Sequence, residues 1–224
     1  MKHLFSRLTL LIAAFLLVTG CSKEDTEPPV ITVLGSNPID HEMRTNYVDP
    51  GATAEDNEDG DISNSIQIDD SQVQENLPGT YTVFFSVSDN AGNLGSATRM
   101  VNVFATANAL AGNYSVIDTC GTGPGVPVYT YNQTVTAVAG TNQIQFNKFA
   151  DYANNTTIQA TVASNGSLTL PLQNGQNIGS LNEDHDFQGT GAVSLNGFVL
   201  NYTDRNYSAI PVSTAACRAY FTRL

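Results

Sequence analysis

Tyrosine is the residue type in this chain best suited to surface chemistry: there are nine Tyr and no Trp. Tyr129, Tyr131, Tyr152, Tyr202 and Tyr207 fall among Asn and Gln in the second half. Flat aromatic faces beside planar amides suit a sugar ring, whose apolar face packs while its hydroxyls hydrogen-bond. These five are the candidate ligand-binding residues. Tyrosine on a half-buried strand is also an ordinary packing residue, so the sequence leaves both readings open.

Other reactive groups are sparse. Beyond residue 20 the histidines are His41 and His185, and neither has metal-ligand spacing or stands beside a nucleophile motif. His185 lies in Glu183-Asp184-His185-Asp186, which reads as a solvated turn between strands. Gly121-Thr122-Gly123-Pro124-Gly125 lacks the Lys-Ser/Thr and the helix that a phosphate cradle needs. The acidic run holding Glu55, Asn57, Asp59 and Asp61 mimics the start of a calcium loop, but Ile66 stands where a closing bidentate Glu belongs. No catalytic residues, cofactor or metal are expected, and the run reads as a solvated acidic turn.

Positioning these side chains falls to strands, because alternation of polarity dominates and helical periodicity is absent. Tyr81, Val83, Phe85 and Val87 share one face of a strand over 80–88, Asp89 to Asn93 supplies turn chemistry, and Thr98 to Phe104 returns. Charge divides the chain: residues 21–107 hold 15 Asp or Glu against three Lys or Arg, and residues 108–224 hold 6 against 4. The formal net charge of −12 disfavours nucleic acid as a partner. Two domains, at 29–105 and 109–224, fit this asymmetry, with Ala105-Thr106-Ala107-Asn108 as a small polar linker.

The segment Tyr47-Val48-Asp49-Pro50-Gly51-Ala52-Thr53-Ala54-Glu55-Asp56 running to Asp61-Ile62, then Pro78 to Val83 and Ser88 to Asn93, resembles the bacterial surface Ig-like domains. The resemblance spans 29–104 and implies a seven-stranded-type sandwich, a spacer or interaction module without catalysis.

Strand-like runs in the second half cover 113–117, 128–138, 143–149, 156–162, 167–170, 187–195, 198–203 and 216–222, separated by Gly and Asn turns. About eight sequential strands with tight turns predict an all-β meander that curls into a barrel and so removes its edges. Leu110 to Tyr114, Asp118-Thr119-Cys120, Gly189-Thr190-Gly191 and Cys217 to Tyr220 resemble the lipocalin-like C-terminal domains of Bacteroidetes lipoproteins. An apolar ligand inside the barrel requires a roomy interior; a packed one favours a binding surface or a structural role.

Lys2 and Arg7, the apolar Leu8 to Val18, and Thr19-Gly20 have the grammar of a secretory signal over 1–20, and the apolar stretch is too short to span a bilayer needing roughly 20 residues. Val18-Thr19-Gly20-Cys21 resembles the lipobox, which implies lipidation of Cys21. Residues 21–28 read as a flexible tether, and their acidic start resembles the export signal of Bacteroidetes surface lipoproteins. With Cys21 assigned to lipid, Cys120 and Cys217 are expected to pair in an oxidising compartment, the alternative being two separate buried thiols. Together these resemblances imply a non-catalytic lipoprotein held in the outer membrane by its lipid, facing outward. They imply a polysaccharide ligand and glycan-uptake proteins as partners; the alternative is a structural or adhesive protein contacting other proteins.

Overall fold

The computed structural model describes residues 24–152, 158–178 and 183–224; the expected signal segment at 1–20 and Cys21 lie outside the described residues. The chain builds an Ig-like sandwich and then a closed antiparallel barrel.

The sandwich has strands β1 (Val30–Val33), β2 (Ile39–Glu42), β3 (Ala52–Asp56), β4 (Gly60–Asp61), β5 (Gln67–Asp69), β6 (Gly79–Ser88) and β7 (Leu94–Phe104). One sheet runs β1-β3-β4 and the other β2-β7-β6-β5. The β6–β7 hairpin pairs from Ser88↔Leu94 to Gly79↔Val103, and its turn residues Asp89 to Asn93 end the ladder. As alternation predicts, Val83, Phe85 and Val87 point inward and meet Val101 and Val103 of β7. Arg99 shares that inward face and is fully buried. Its Nε donates to Asp49 Oδ2 at 2.8 Å, and its Nη groups donate to the carbonyls of Ser36, Leu34 and Gly51. One guanidinium thereby ties β7 to the loops flanking β1 and β3.

The expected linker is folded. Thr106 caps a single helical turn, α1 (Ala107–Leu110), by accepting from the amide of Ala109, and its hydroxyl donates to Glu42 of the sandwich. Leu110 is buried in the barrel's end. The expected tether is also not free from Glu24 onward: Asp25 is half-buried, its carbonyl accepts from Asn93 Nδ2 at 3.3 Å, and Pro29 is buried. A Cβ at Gly95 would stand 2.2 Å from the Pro29 carbonyl oxygen, so glycine there lets the incoming chain lie against β7.

The barrel comprises β8 (Gly112–Cys120), β9 (Val128–Val138), β10 (Gln143–Phe146), β11 (Ile158–Val162), β12 (Ser167–Ile178), β13 (Glu183–Ser194), β14 (Gly197–Asn206) and β15 (Ser213–Arg223). Each strand pairs with the next, and β15 closes on β8. The strands overlap the runs that the polarity pattern marks, but β10 stops at Phe146 and leaves Phe149 to a 3-10 turn, β12 runs far beyond Leu170, and β13 starts before Phe187. Two register shifts in that hairpin, after Leu170 and after Gly175, accommodate its polar end.

Apolar side chains fill the barrel's lower part: Tyr114, Val116, Ile144, Phe146, Leu168, Phe198, Leu200 and Phe221 are buried, with the Phe198 and Phe221 rings stacked at 4.4 Å. Burying one such side chain contributes about 1.5–3 kcal/mol. The outward positions carry Thr, Asn and Gln, for example Thr134, Gln188, Thr190 and Asn201. That is the reverse of a membrane-spanning barrel, whose apolar face is outside. Gly189 and Gly191 occupy inward positions on β13, where a Cβ would stand 2.3 Å from the Asn201 oxygen and 2.1 Å from the Val199 oxygen. Their bareness lets β14 fold closely over β13 and leaves the interior to Tyr202.

Candidate functional site: the polar end of the barrel

The interior changes character toward the end remote from α1. Strand β8 carries Tyr114, Val116 and Asp118 inward in succession, and β14 carries Leu200, Tyr202 and Asp204, so strict alternation delivers two carboxylates into the lumen. Asp118 is 2 % exposed. Its Oδ2 accepts from the Tyr202 hydroxyl at 2.6 Å and from the Tyr131 hydroxyl at 3.4 Å, while its Oδ1 is buried without a partner. Asp204 accepts from Tyr152 at 3.0 Å and lies 2.5 Å from His185 Nδ1.

His185 is thus not a solvated turn residue. It sits on β13, 4 % exposed, with its ring against Tyr152 and Phe187. The surrounding polar residues hide the strand from a hydrophobicity pattern, because the inward neighbours here are hydrogen-bonding groups rather than aliphatic ones.

The mouth is partly crossed by a 3-10 turn, Phe149–Asp151, in which Ala150 and Asp151 have left-handed backbones with φ of 55° and 59°. Lys148 Nζ holds Asp151 at 2.5 Å and lies 5.7 Å from the Tyr131 ring centroid. Behind this turn is a pocket of about 230 Å³ lined by Asp118, Cys120, Tyr129, Ala150, Asp151, Tyr152 and Asp204. Burial pushes the Asp118 carboxyl above the usual range, and the opposing hydrogen bonds from Tyr202 and Tyr131 do not cancel it. Burial, followed by the nearby carboxylates, raises the Tyr131, Tyr152 and Tyr202 hydroxyls well above the ordinary phenol range, so they act as donors at any physiological pH.

Of the five candidate tyrosines, four converge here. Tyr131 and Tyr202 are spent on Asp118, Tyr152 forms a wall, and Tyr129 on β9, 47 % exposed, offers a face to the pocket. Tyr207 lies apart on the outside, donating to Asp186 Oδ2 at 2.6 Å. Cys120 and Cys217 form a disulfide across the β8–β15 seam. The four candidates of the acidic run do not gather into a ligand set of their own: Glu55, Asn57 and Asp61 are exposed, and Asp59 accepts from the Asn90 amide and side chain. Sequence reasoning missed Asp118, Asp204 and His185; their shared inward phase with Val116, Tyr202 and Phe187 is the signal that could have found them.

A second, shallow depression of about 690 Å³ lies outside the barrel, over β12 to β15. Its exposed lining is hydroxyls, amides and the Arg218 guanidinium, for example Thr169, Gln188, Thr190 and Asn201. It offers neither a carboxylate nor an exposed aromatic face, so the polar end of the barrel is the stronger candidate.

Residues 31–103 match the family described as bacterial surface protein, Ig-like domain. No curated protein matches the chain. Among solved structures, the lipoprotein BT2262 from Bacteroides thetaiotaomicron is 20% identical, with a TM-score of 0.34 over 86% of this chain and 100% of that one. The CBM51-2 and INT domains of Clostridium perfringens ZmpB, solved with GlcNAc, are 15% identical, with a TM-score of 0.29 over 87% of this chain and 44% of theirs. A Bacteroides ovatus protein of unknown function is 10% identical, with a TM-score of 0.25 over 63% of this chain and 57% of that one.

Proposed function

We propose that this is a non-catalytic surface lipoprotein that binds a glycan at the polar end of its barrel. The observation that carries the reading is the convergence of the Asp118, Asp151 and Asp204 carboxylates and the half-exposed Tyr129 ring on one pocket at the barrel's mouth. Carboxylates lining such a pocket accept from sugar hydroxyls through charge-assisted hydrogen bonds. Asp204 and Asp151 add further acceptors, and Tyr129 supplies the flat apolar surface that a pyranose packs on. A pocket of about 230 Å³ suits one sugar unit of a longer chain entering from the mouth. The bacterial-surface Ig-like domain supports a position outside the cell. With Cys21 lipidated, the sandwich holds the barrel away from an outer membrane where glycan-uptake proteins would receive the ligand.

Calorimetric titration of the purified protein against plant, microbial and mucin polysaccharides tests this. The expected result is binding weakened roughly tenfold or more by Tyr129→Ala, since base-level stacking on one aromatic face is worth about 1–3 kcal/mol in other ring systems, and unchanged by Tyr207→Ala. Absence of heat with every polysaccharide would sink the reading and turn the search to protein partners.

A further inference from the structure

The geometry points to a calcium site at the foot of the Ig-like sandwich, formed by Asp25, Asp56 and Asp89, that staples the tether to the domain. One oxygen from each of these carboxylates lies within 4.8 Å of the others. They come from three separate segments. Asp56 ends β3, Asp89 begins the β6–β7 turn, and Asp25 arrives from the tether, four residues beyond Cys21. The two turns are held together by Asp59, which accepts from Asn90 N at 2.7 Å and from Asn90 Nδ2 at 2.6 Å.

Clustered acids alone do not make a site; the independent sign is Asp56. It is 6 % exposed, and although its Oδ1 accepts from the amides of Glu58 and Asp59, its Oδ2 is buried with no partner. Among the described residues no Lys, Arg or His pairs with any of the three acids. The sandwich's described arginines are committed elsewhere, Arg99 to Asp49 and Arg44 to Ala109 and Tyr114. Three facing carboxylates, two of them buried, therefore repel one another without a protein cation to offset them. Beside them a cavity of about 20 Å³ is lined by Glu24, Asp25, Thr26, Glu27, Asn57 and Glu58, room for about one water-sized occupant.

Hard carboxylate oxygens select calcium or magnesium over softer metals. Calcium bonds of 2.3–2.6 Å place oxygens on opposite sides of the ion about 4.6–5.2 Å apart, whereas magnesium requires a tighter octahedron near 2.1 Å. Ligands drawn from three independent segments suit the larger and more permissive ion. Binding would fix the chain's direction just beyond the expected anchor and so orient the sandwich relative to the membrane.

The test is calcium titration of the chelator-stripped protein, purified in detergent, by calorimetry and thermal melting. Wild type should bind calcium in preference to magnesium and melt several degrees higher with it. Asp56→Asn and Asp89→Asn should each weaken binding roughly tenfold or more and abolish the shift, because ligand charge sets affinity at such sites; Glu55→Gln, on the exposed side of β3, should do neither. In chelator Asp56→Asn should melt no lower than wild type, since it removes one of three repelling charges, and this separates a lost ligand from a failed fold. Calcium should also slow tryptic cleavage after Lys23. No calcium-dependent shift in wild type, or a shift retained in both Asp variants, overturns the site; cleavage indifferent to bound calcium overturns the staple.

Discussion

Cys217 on the barrel's last strand stands directly opposite Cys120 at the end of its first, with Cα atoms 4.0 Å apart and a sequence separation of 97. Among the described strands every other pair of barrel neighbours is consecutive in sequence, the longest connection lying between β10 and β11; the β15–β8 seam alone joins the two ends of the domain. The bond therefore sits where the barrel would otherwise open.

Reducing that disulfide should lower the stability of the barrel by about 2–5 kcal/mol, because the unfolded chain regains the freedom of a loop of roughly a hundred residues. Urea unfolding with and without reductant measures it, and Cys120→Ala with Cys217→Ala should reproduce the loss. An unchanged midpoint would show that ladder hydrogen bonds and the apolar interior hold the seam unaided.

Arg99 concentrates a comparable risk in the sandwich. It is fully buried, ion-paired to Asp49 at 2.8 Å, bonded to three carbonyls and 5.8 Å from the Phe85 ring centroid. Arg99→Ala strands a buried carboxylate and frees three carbonyls, a loss of about 3–5 kcal/mol. Arg99→Lys should recover only part of it, since an ammonium cannot reproduce the planar fork. Differential scanning calorimetry of the two variants reads both effects, and equal melting of Lys and Arg forms would contradict the geometry.

Arg99 also marks what the sequence discloses and what it hides. The hairpin of β6 and β7 is legible because Val83, Phe85, Val87, Val101 and Val103 alternate with polar residues, and barrel closure follows from a run of strands joined by Gly and Asn turns. Wherever an inward position carries a polar group, that same criterion fails. Arg99, Asp118, His185 and Asp204 all face inward, and each is stabilised by a partner remote in sequence, as Asp118 is by Tyr202 84 residues away. Hydrophobic periodicity records burial by transfer from water; it is blind to burial secured by long-range hydrogen bonds. Asp56 escapes the pattern for a different reason: the acidic run reads as uniformly solvated, yet strand β3 turns that one carboxylate inside, where only the nearby Glu58 and Asp59 amides bond it.

The pH dependence of stability follows from Asp118. Burial raises its folded-state pKa above the ordinary aspartate value of roughly 3.9, with the charge of Asp204 adding to the push and the tyrosine hydrogen bonds opposing it. The folded protein therefore holds this proton more tightly than the unfolded chain does. The resulting stabilisation is complete below the unfolded value and is lost as pH rises through the folded one. Once ionised, Asp118 therefore works against the fold. Asp118→Asn keeps an oxygen to accept from Tyr202 while removing the charge, so its melting temperature relative to wild type should improve steadily as pH rises from the acid range toward neutrality. Melting both proteins across that range measures the difference. Parallel curves would mean that Asp118 titrates as it does in the unfolded chain, and that the polar end of the barrel is better solvated than its burial implies.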